Sequence, residues 1–188
     1  MKPEAGDHVS TAAKDCATPH SRAVLEDCRL AYRLLDTEKD DGRWRLMWVA
    51  AVTLLRTVGH VLDKVDASNP NVRAVTNQLY EGWKHDDPKH EIFREFIDQE
   101  RNNILKQYEF GVSQGPLLVS PFLVDRDGNE YQLEPAIWSE NIYRPMATGP
   151  YEGEDGRTLI DDAIEWWQQQ LDEVDHRVAQ LAANGSAG

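Results

Sequence analysis

The stretch Arg101-Asn102-Asn103-Ile104-Leu105-Lys106-Gln107-Tyr108 gathers a permanent cation, an amide, an amine and a phenol within eight residues. A guanidinium presents a fixed fork of donors that matches the oxygens of a carboxylate or phosphate, so anion contact is the chemistry such a set offers. Taken as a helix at about 100° per residue with Arg101 as origin, Ile97 falls near about −40°, Ile104 about −60°, Leu105 about +40° and Tyr108 about −20°. Arg101 is therefore expected to project into the apolar face. There it needs a counter-ion, such as Asp63 or Glu100, or an opening onto a cleft. Lys106 falls about 140° away, toward the polar side. It would serve as a base at pH 7 only if its pKa of about 10.4 fell by roughly three units.

A second polar line precedes it. Arg56, His60 and Asp63 occur at i, i+4 and i+7 of an otherwise apolar segment, a spacing that aligns them on one side of a helix. If that helix packs against the one carrying Arg101, then Arg56, His60 and Arg101 meet in one pocket. A single histidine on a buried helix equally serves as a hydrogen-bonded core residue, and both readings stay open. The candidate binding residues are Arg101, Asn102, Tyr108, Arg56 and His60. Arg101, Lys106 and His60 are the candidates for any catalysis.

Other chemistries find less support. Asp125-x-Asp127-x-Asn129 supplies oxygens at the first, third and fifth places of a calcium loop. The sixth place, however, is Glu130 instead of Gly, and the twelfth is Ala136 instead of Glu, so a hairpin turn is expected there. The sequence contains no glycine-rich phosphate loop, no HExxH and no Gly-x-Ser-x-Gly elbow, which removes several large enzyme classes. Cys16 and Cys28 lack CxxC spacing, so neither a zinc site nor a disulfide framework is expected. No metal and no cofactor is anticipated.

These side chains need elements to hold them. From His20 to Glu38 the apolar residues Val24, Leu25, Cys28, Ala31, Tyr32 and Leu35 recur at helical spacing. Arg22, Arg29 and Arg33 lie opposite, as a solvated face would. After the break at Asp40-Asp41-Gly42, Trp44, Trp48, Val52, Leu55, Gly59 and Leu62 line one side of a helix that is apolar nearly all round. Such a helix belongs at the centre of a bundle. Asn71 to Trp83 forms a third helix, and Pro88 opens a fourth that is expected to run to about Gly111. The apolar runs on either side of Asp125-Arg126-Asp127-Gly128-Asn129 read as a β-hairpin, with Pro121 restricting the first to an edge or irregular strand. Trp138 to Arg157 reads as loop, and Thr158 to about Ala183 as the last helix. The expected fold is mostly α: a bundle of about five helices with a small β-hairpin insertion before the last. Residues 20–183 are read as one domain with a hairpin and loop insertion over 115–157, between a flexible segment 1–19 and a flexible tail 184–188.

The Arg101 to Tyr108 stretch resembles the signature of HEPN-domain proteins. That signature opens on Arg, often with Asn after it, and carries a His further along. In one toxin subgroup it closes on a Tyr two residues beyond the His. Arg101 and Asn102 match the opening, Tyr108 matches the close, and Lys106 stands in the His position. The resemblance covers these eight residues directly, together with a bundle in which the motif comes late. It implies a homodimer with the motif in a cleft between subunits, and contact with RNA or a nucleotide. In many members it also implies metal-independent ribonuclease activity. A Lys in place of the His removes the group that exchanges a proton near neutral pH.

Bulk properties set the frame. At 188 residues and 40% apolar content the chain can build a proper core. A net charge of −13 repels polyanions, so no general DNA binding is expected, although a local basic cleft remains compatible with it. The longest apolar run, Leu46 to Leu55, falls short of the roughly 20 residues that span a bilayer, and the N-terminus lacks a signal-peptide pattern. A cytoplasmic location without membrane attachment is the expectation. The leading functional expectation is a non-catalytic HEPN-like binding or regulatory module that contacts RNA, a nucleotide or a protein partner. A metal-independent ribonuclease using Arg101 with Lys106 or His60, and a protein-interaction scaffold without a small-molecule site, are the alternatives.

Overall fold

The computed structural model describes residues 16–85, 87–113, 122–132 and 143–185. Among them five α-helices carry the fold, with one two-stranded antiparallel hairpin before the last. They are α1 (Pro19–Thr37), α2 (Asp41–Lys64), α3 (Pro70–Lys84), α4 (Gln99–Gln107) and α5 (Gly156–Gly185). The expected segment 1–15, the tail beyond 185 and the stretch around Trp138 lie outside the described residues.

Helix α2 is the centre. Trp44, Trp48, Ala51, Val52, Leu55, Val58 and Leu62 are buried along it, and they pack with Leu25, Cys28 and Leu35 of α1 and Leu159, Ile160, Ala163, Trp167 and Leu171 of α5 in one core. By length and composition alone the stretch Asp41–Ser68 could also cross a membrane; part of its apolar surface packs in the core, while Leu46 and Val65 are 58% and 41% exposed.

Helix ends follow local chemistry. Asp40 accepts from the Arg43 N–H at the start of α2, and Asn69 accepts from the Asn71 N–H at the start of α3, where Pro70 takes the first turn. The start of α1 is capped across the bundle: the buried Asp66 carboxylate accepts from the backbone N–H of Ser21 at 2.9 Å and from its hydroxyl at 2.6 Å. Asp175 of α5 accepts from the Ala17 N–H and the Thr18 hydroxyl. Ala17 and Thr18, within the segment read as flexible, are thus tied to the bundle. Arg22 pairs with Asp172 and Asp175 of α5, and Arg29 donates to Gln168. Two of the three α1 arginines expected on a solvated face are therefore spent at the α1/α5 contact.

Between α3 and α4 the backbone winds into a short 3-10 turn, Pro88–His90, and then a π-helix, Ile92–Asp98. A π-helix bonds i to i+5 and turns less per residue than an α-helix, so an α-helical phase carried from Ile97 to Arg101 does not hold. The buried line instead runs through Phe93, Phe96, Ile97, Glu100 and Ile104. Arg101 lies on its flank, half-buried, while Leu105 and Tyr108, expected inside, are 55% and 63% exposed. Helix α4 also stops earlier than Gly111, because Tyr108 adopts the left-handed conformation at φ 55° and caps it.

Strands β1 (Phe122–Val124) and β2 (Glu130–Gln132) pair with Leu123 opposite Tyr131. The Asp125 carboxylate accepts from the Asp127 and Asn129 backbone N–H groups, the Asn129 side chain and the Tyr131 hydroxyl, which holds it down to about 2. The acidic loop is a turn closed by its own first residue. Residues 143–155, expected as loop, are joined to the segment after α4 by a bridge from Met146 to Val112 and closed on themselves by one from Pro145 to Asp155. Arg144 from this stretch is fully buried, donating to Asp41 at 2.6 Å with its guanidinium 4.3 Å from the Trp44 ring centre.

Candidate functional site

Helices α2, α3 and α5 and the π-helix leave a cavity of about 370 Å³ between them. Ligand pockets run from roughly 300 to 1,000 Å³, so this volume suits one small organic molecule. Its apolar lining is Trp83 and Tyr80 of α3, Phe93 of the π-helix and Trp167 of α5. These rings hold one another edge to face: Tyr80 is 6.1 Å from Trp83, and Trp83 is 5.5 Å from Trp167. Trp167 reaches so deep because α2 has a glycine opposite it. A Cβ on Gly59 would stand 2.9 Å from the Trp167 ring.

The polar lining comes from the α2 line that the spacing singled out. Arg56, His60, Asp63 and Lys64 border the cavity, with Thr76 and Asn77 of α3 across from them. Arg56 Nε stands 3.0 Å from Asp98, but its N–H is not aimed at that oxygen and has no hydrogen-bond acceptor. Lys64 pairs with its neighbour Asp63 at 2.7 Å. His60 is exposed at the rim instead of buried in the core. Partial burial, and then the charges of Arg56 and Arg101, hold its pKa below the ordinary histidine value, against the pull of Asp63.

The sequence candidates therefore separate. Arg56 and His60 share the cavity, and Arg101 stands near enough for its charge to act on His60 without lining the cavity itself. Arg101 pairs with neither Asp63 nor Glu100; its Nη1 donates to the side-chain oxygen of Asn102 at 2.9 Å. Lys106 is exposed at the end of α4. Tyr108 turns outward against Phe110, with ring centres 5.2 Å apart.

Glu100, weighed only as a counter-ion, proves to be a structural carboxylate. It is 2% exposed and accepts from the Trp48 indole at 3.0 Å and the Gly111 N–H at 3.0 Å. Burial pushes its pKa up, against those two hydrogen bonds. Sequence reasoning missed Thr76, Trp83, Phe93 and Trp167 as site residues because each reads as core at helical spacing. The one legible hint was Gly59 within an apolar helix, a position that marks close approach of a bulky neighbour. No potential metal cluster of three or more His, Cys, Asp or Glu occurs among the described residues.

Comparison with protein-family models, with curated proteins and with solved structures finds no match for this chain.

Proposed function

We propose that this protein is a non-catalytic binding module that holds a small organic anion with a flat apolar part in the cavity between α2, α3, α5 and the π-helix. The observation that carries this reading is the lining itself: four aromatic rings on one side, and Arg56, His60 and Lys64 on the other. Apolar pockets with a few convergent polar groups are the usual form of small-molecule sites. With Lys64 paired to Asp63, Arg56 is the cation of the lining whose Nε lacks an aligned acceptor, in a chain whose net charge is −13. A nucleotide, free or at the end of an RNA, is a ligand of this kind and agrees with what the HEPN resemblance implies. Titration calorimetry with adenosine and uridine 5′-monophosphates tests the reading. Binding is expected at micromolar to millimolar concentration and should weaken about tenfold in Arg56→Gln, the loss of one charged hydrogen bond.

A metal-independent ribonuclease is the second reading. It is favoured by His60, whose imidazole Arg56 and Arg101 help keep neutral and so able to take a proton near pH 7. Incubation of single-stranded RNA in chelator decides it: no cleavage by the wild type ends that reading, and cleavage that survives His60→Ala removes His60 from it. The homodimer implied by the resemblance is supported by Leu105 and Tyr108, which leave α4 with an exposed apolar edge. Light scattering should give a dimer that Leu105→Glu dissociates.

A further inference from the structure

The 3-10 turn Pro88–His90, which leads into the π-helix, is fastened to α5 by the indole of Trp166. That N–H is directed to the Lys89 carbonyl at 3.1 Å and to Nδ1 of His90 at 3.3 Å. His90 is 8% exposed and stands edge-on to Trp166, with ring centres 6.0 Å apart. Trp166 in turn lies nearly flat on Phe93, 5.1 Å between centres, and edge-on to Trp83 at 5.3 Å. Phe93 and Trp83 line the cavity, so Trp166 connects His90 to its aromatic wall.

A histidine nitrogen accepts a hydrogen bond only while it carries no proton. With Nδ1 facing the indole, the neutral ring keeps its proton on Nε2. A second proton on Nδ1 would aim one N–H at another and turn an attractive contact into a repulsive one. Burial disfavours charge on this ring first, then Lys89 and Arg94 do, while Asp87 favours it; together they hold its pKa below the ordinary histidine value. Asp87 is itself engaged by Lys89 at 3.0 Å, and Glu91, next in the chain, acts on Tyr151. From α5 the group presented to the ring is the uncharged indole. Asp162, one turn before Trp166, has its own acidity governed by burial and by Asp161, and Glu165 is exposed. At the end of α3, His85 is exposed and its carbonyl accepts from Arg94.

We propose that His90 is an acid-sensitive clasp: its neutral ring holds Trp166 and fixes the entry to the π-helix against α5, and uptake of a proton from solvent on Nδ1 releases that contact. Release loosens Pro88–His90 and Ile92–Asp98, and through Phe93 it reaches the wall of the cavity. The sign follows from linkage. The released segment takes the proton more readily than the clasped one, so the clasp is complete above the ordinary histidine value of about 6.5 and is lost as pH falls below it, toward the ring's own lower value. Histidine is the side chain suited to such a device, because its charge changes within this range.

The test uses the full-length protein without ligand, so that its failure leaves the binding reading untouched. The 15N–1H spectrum is followed from about pH 8 to about pH 5, across the histidine range, together with the imidazole nitrogens of His90. The Trp166 indole proton is expected to move upfield as it loses an acceptor, with the same midpoint as His90. His90→Gln supplies an amide oxygen that accepts without titrating, and in it the Trp166 resonance should hold its place. Amide exchange at Phe96 and Ile97 at about pH 5 should be about tenfold faster in the wild type than in His90→Gln, the loss of one neutral hydrogen bond. A Trp166 resonance that stays fixed while His90 titrates, or that moves equally in His90→Gln, overturns the clasp. So does a His90 ring still neutral at the acid end of the titration. Should His90→Gln fail to fold, the wild type decides alone: coincident midpoints for His90 and Trp166 support the clasp, and separate midpoints overturn it.

Discussion

At the scale of single residues, His60 and Glu100 depart from their ordinary acidities in opposite directions for His and carboxylate stability. His60 is held below its usual value by partial burial and by Arg56 and Arg101. The unfolded chain therefore takes up its proton first as pH falls, and stability is lost as pH drops through the ordinary histidine range, near about 6.5. An anion bound at Arg56 would offset that repulsion and draw a proton onto His60. Affinity for an anionic ligand should then rise as pH falls from about 8 to about 6, within that same range, and His60→Gln should flatten the profile. A profile that is already flat in the wild type would remove His60 from the site. Glu100 is raised, so its contribution to stability is complete below the ordinary carboxylate range and is lost as pH rises through its folded-state value. Glu100→Gln should gain on the wild type in urea denaturation as pH increases. A Cβ on the neighbouring Gly111 would stand 2.6 Å from Glu100 Oε2 and 2.9 Å from Met146 Cε, so the buried carboxylate and the Met146 methyl would have to move. Gly111→Ala is expected to cost about 1–3 kcal/mol; an unchanged denaturation midpoint would contradict the packing described.

At the scale of elements, the π-helix decides what α4 presents. Arg94 ties it to the end of α3 by donating to the carbonyls of Trp83, His85 and Asp87. Arg94→Ala should destabilise the protein by about 1–3 kcal/mol and weaken ligand binding as well, since Phe93 beside it lines the cavity. Stability lost with binding intact would mean that the π-helix does not shape the site. This element also shows where sequence reading stops. The long helices were legible because Trp44, Trp48, Val52, Leu55 and Leu62 repeat at one period, and the hairpin because Asp127-Gly128 sits between short apolar runs. Nothing in Ile92–Asp98 announces a wider turn, and it shifts Arg101 from the apolar face to its flank. Tyr108 in a left-handed cap, where glycine is the usual residue, ends α4 without a sequence signal. Arg144 lies in a stretch rich in glycine and proline that reads as surface loop, yet it is buried against Trp44.

At the scale of the whole molecule, the cavity exists because four segments distant in sequence converge, and no single one of them carries its signature. Arg56 and His60 were legible as a polar line; the aromatic floor they face was not, since Trp83, Phe93 and Trp167 satisfy core periodicity equally well. The residues at the rim report most directly on whether this space receives a ligand. In a 15N–1H spectrum of the uniformly labelled protein, adding adenosine 5′-monophosphate should shift the backbone resonances of His60 and Asn77, which line the cavity. Those of Lys106 and Tyr108, exposed at the end of α4, should hold their places. Resonances of His60 and Asn77 that stay fixed at millimolar ligand, or shifts centred on Lys106 and Tyr108 instead, would contradict the account.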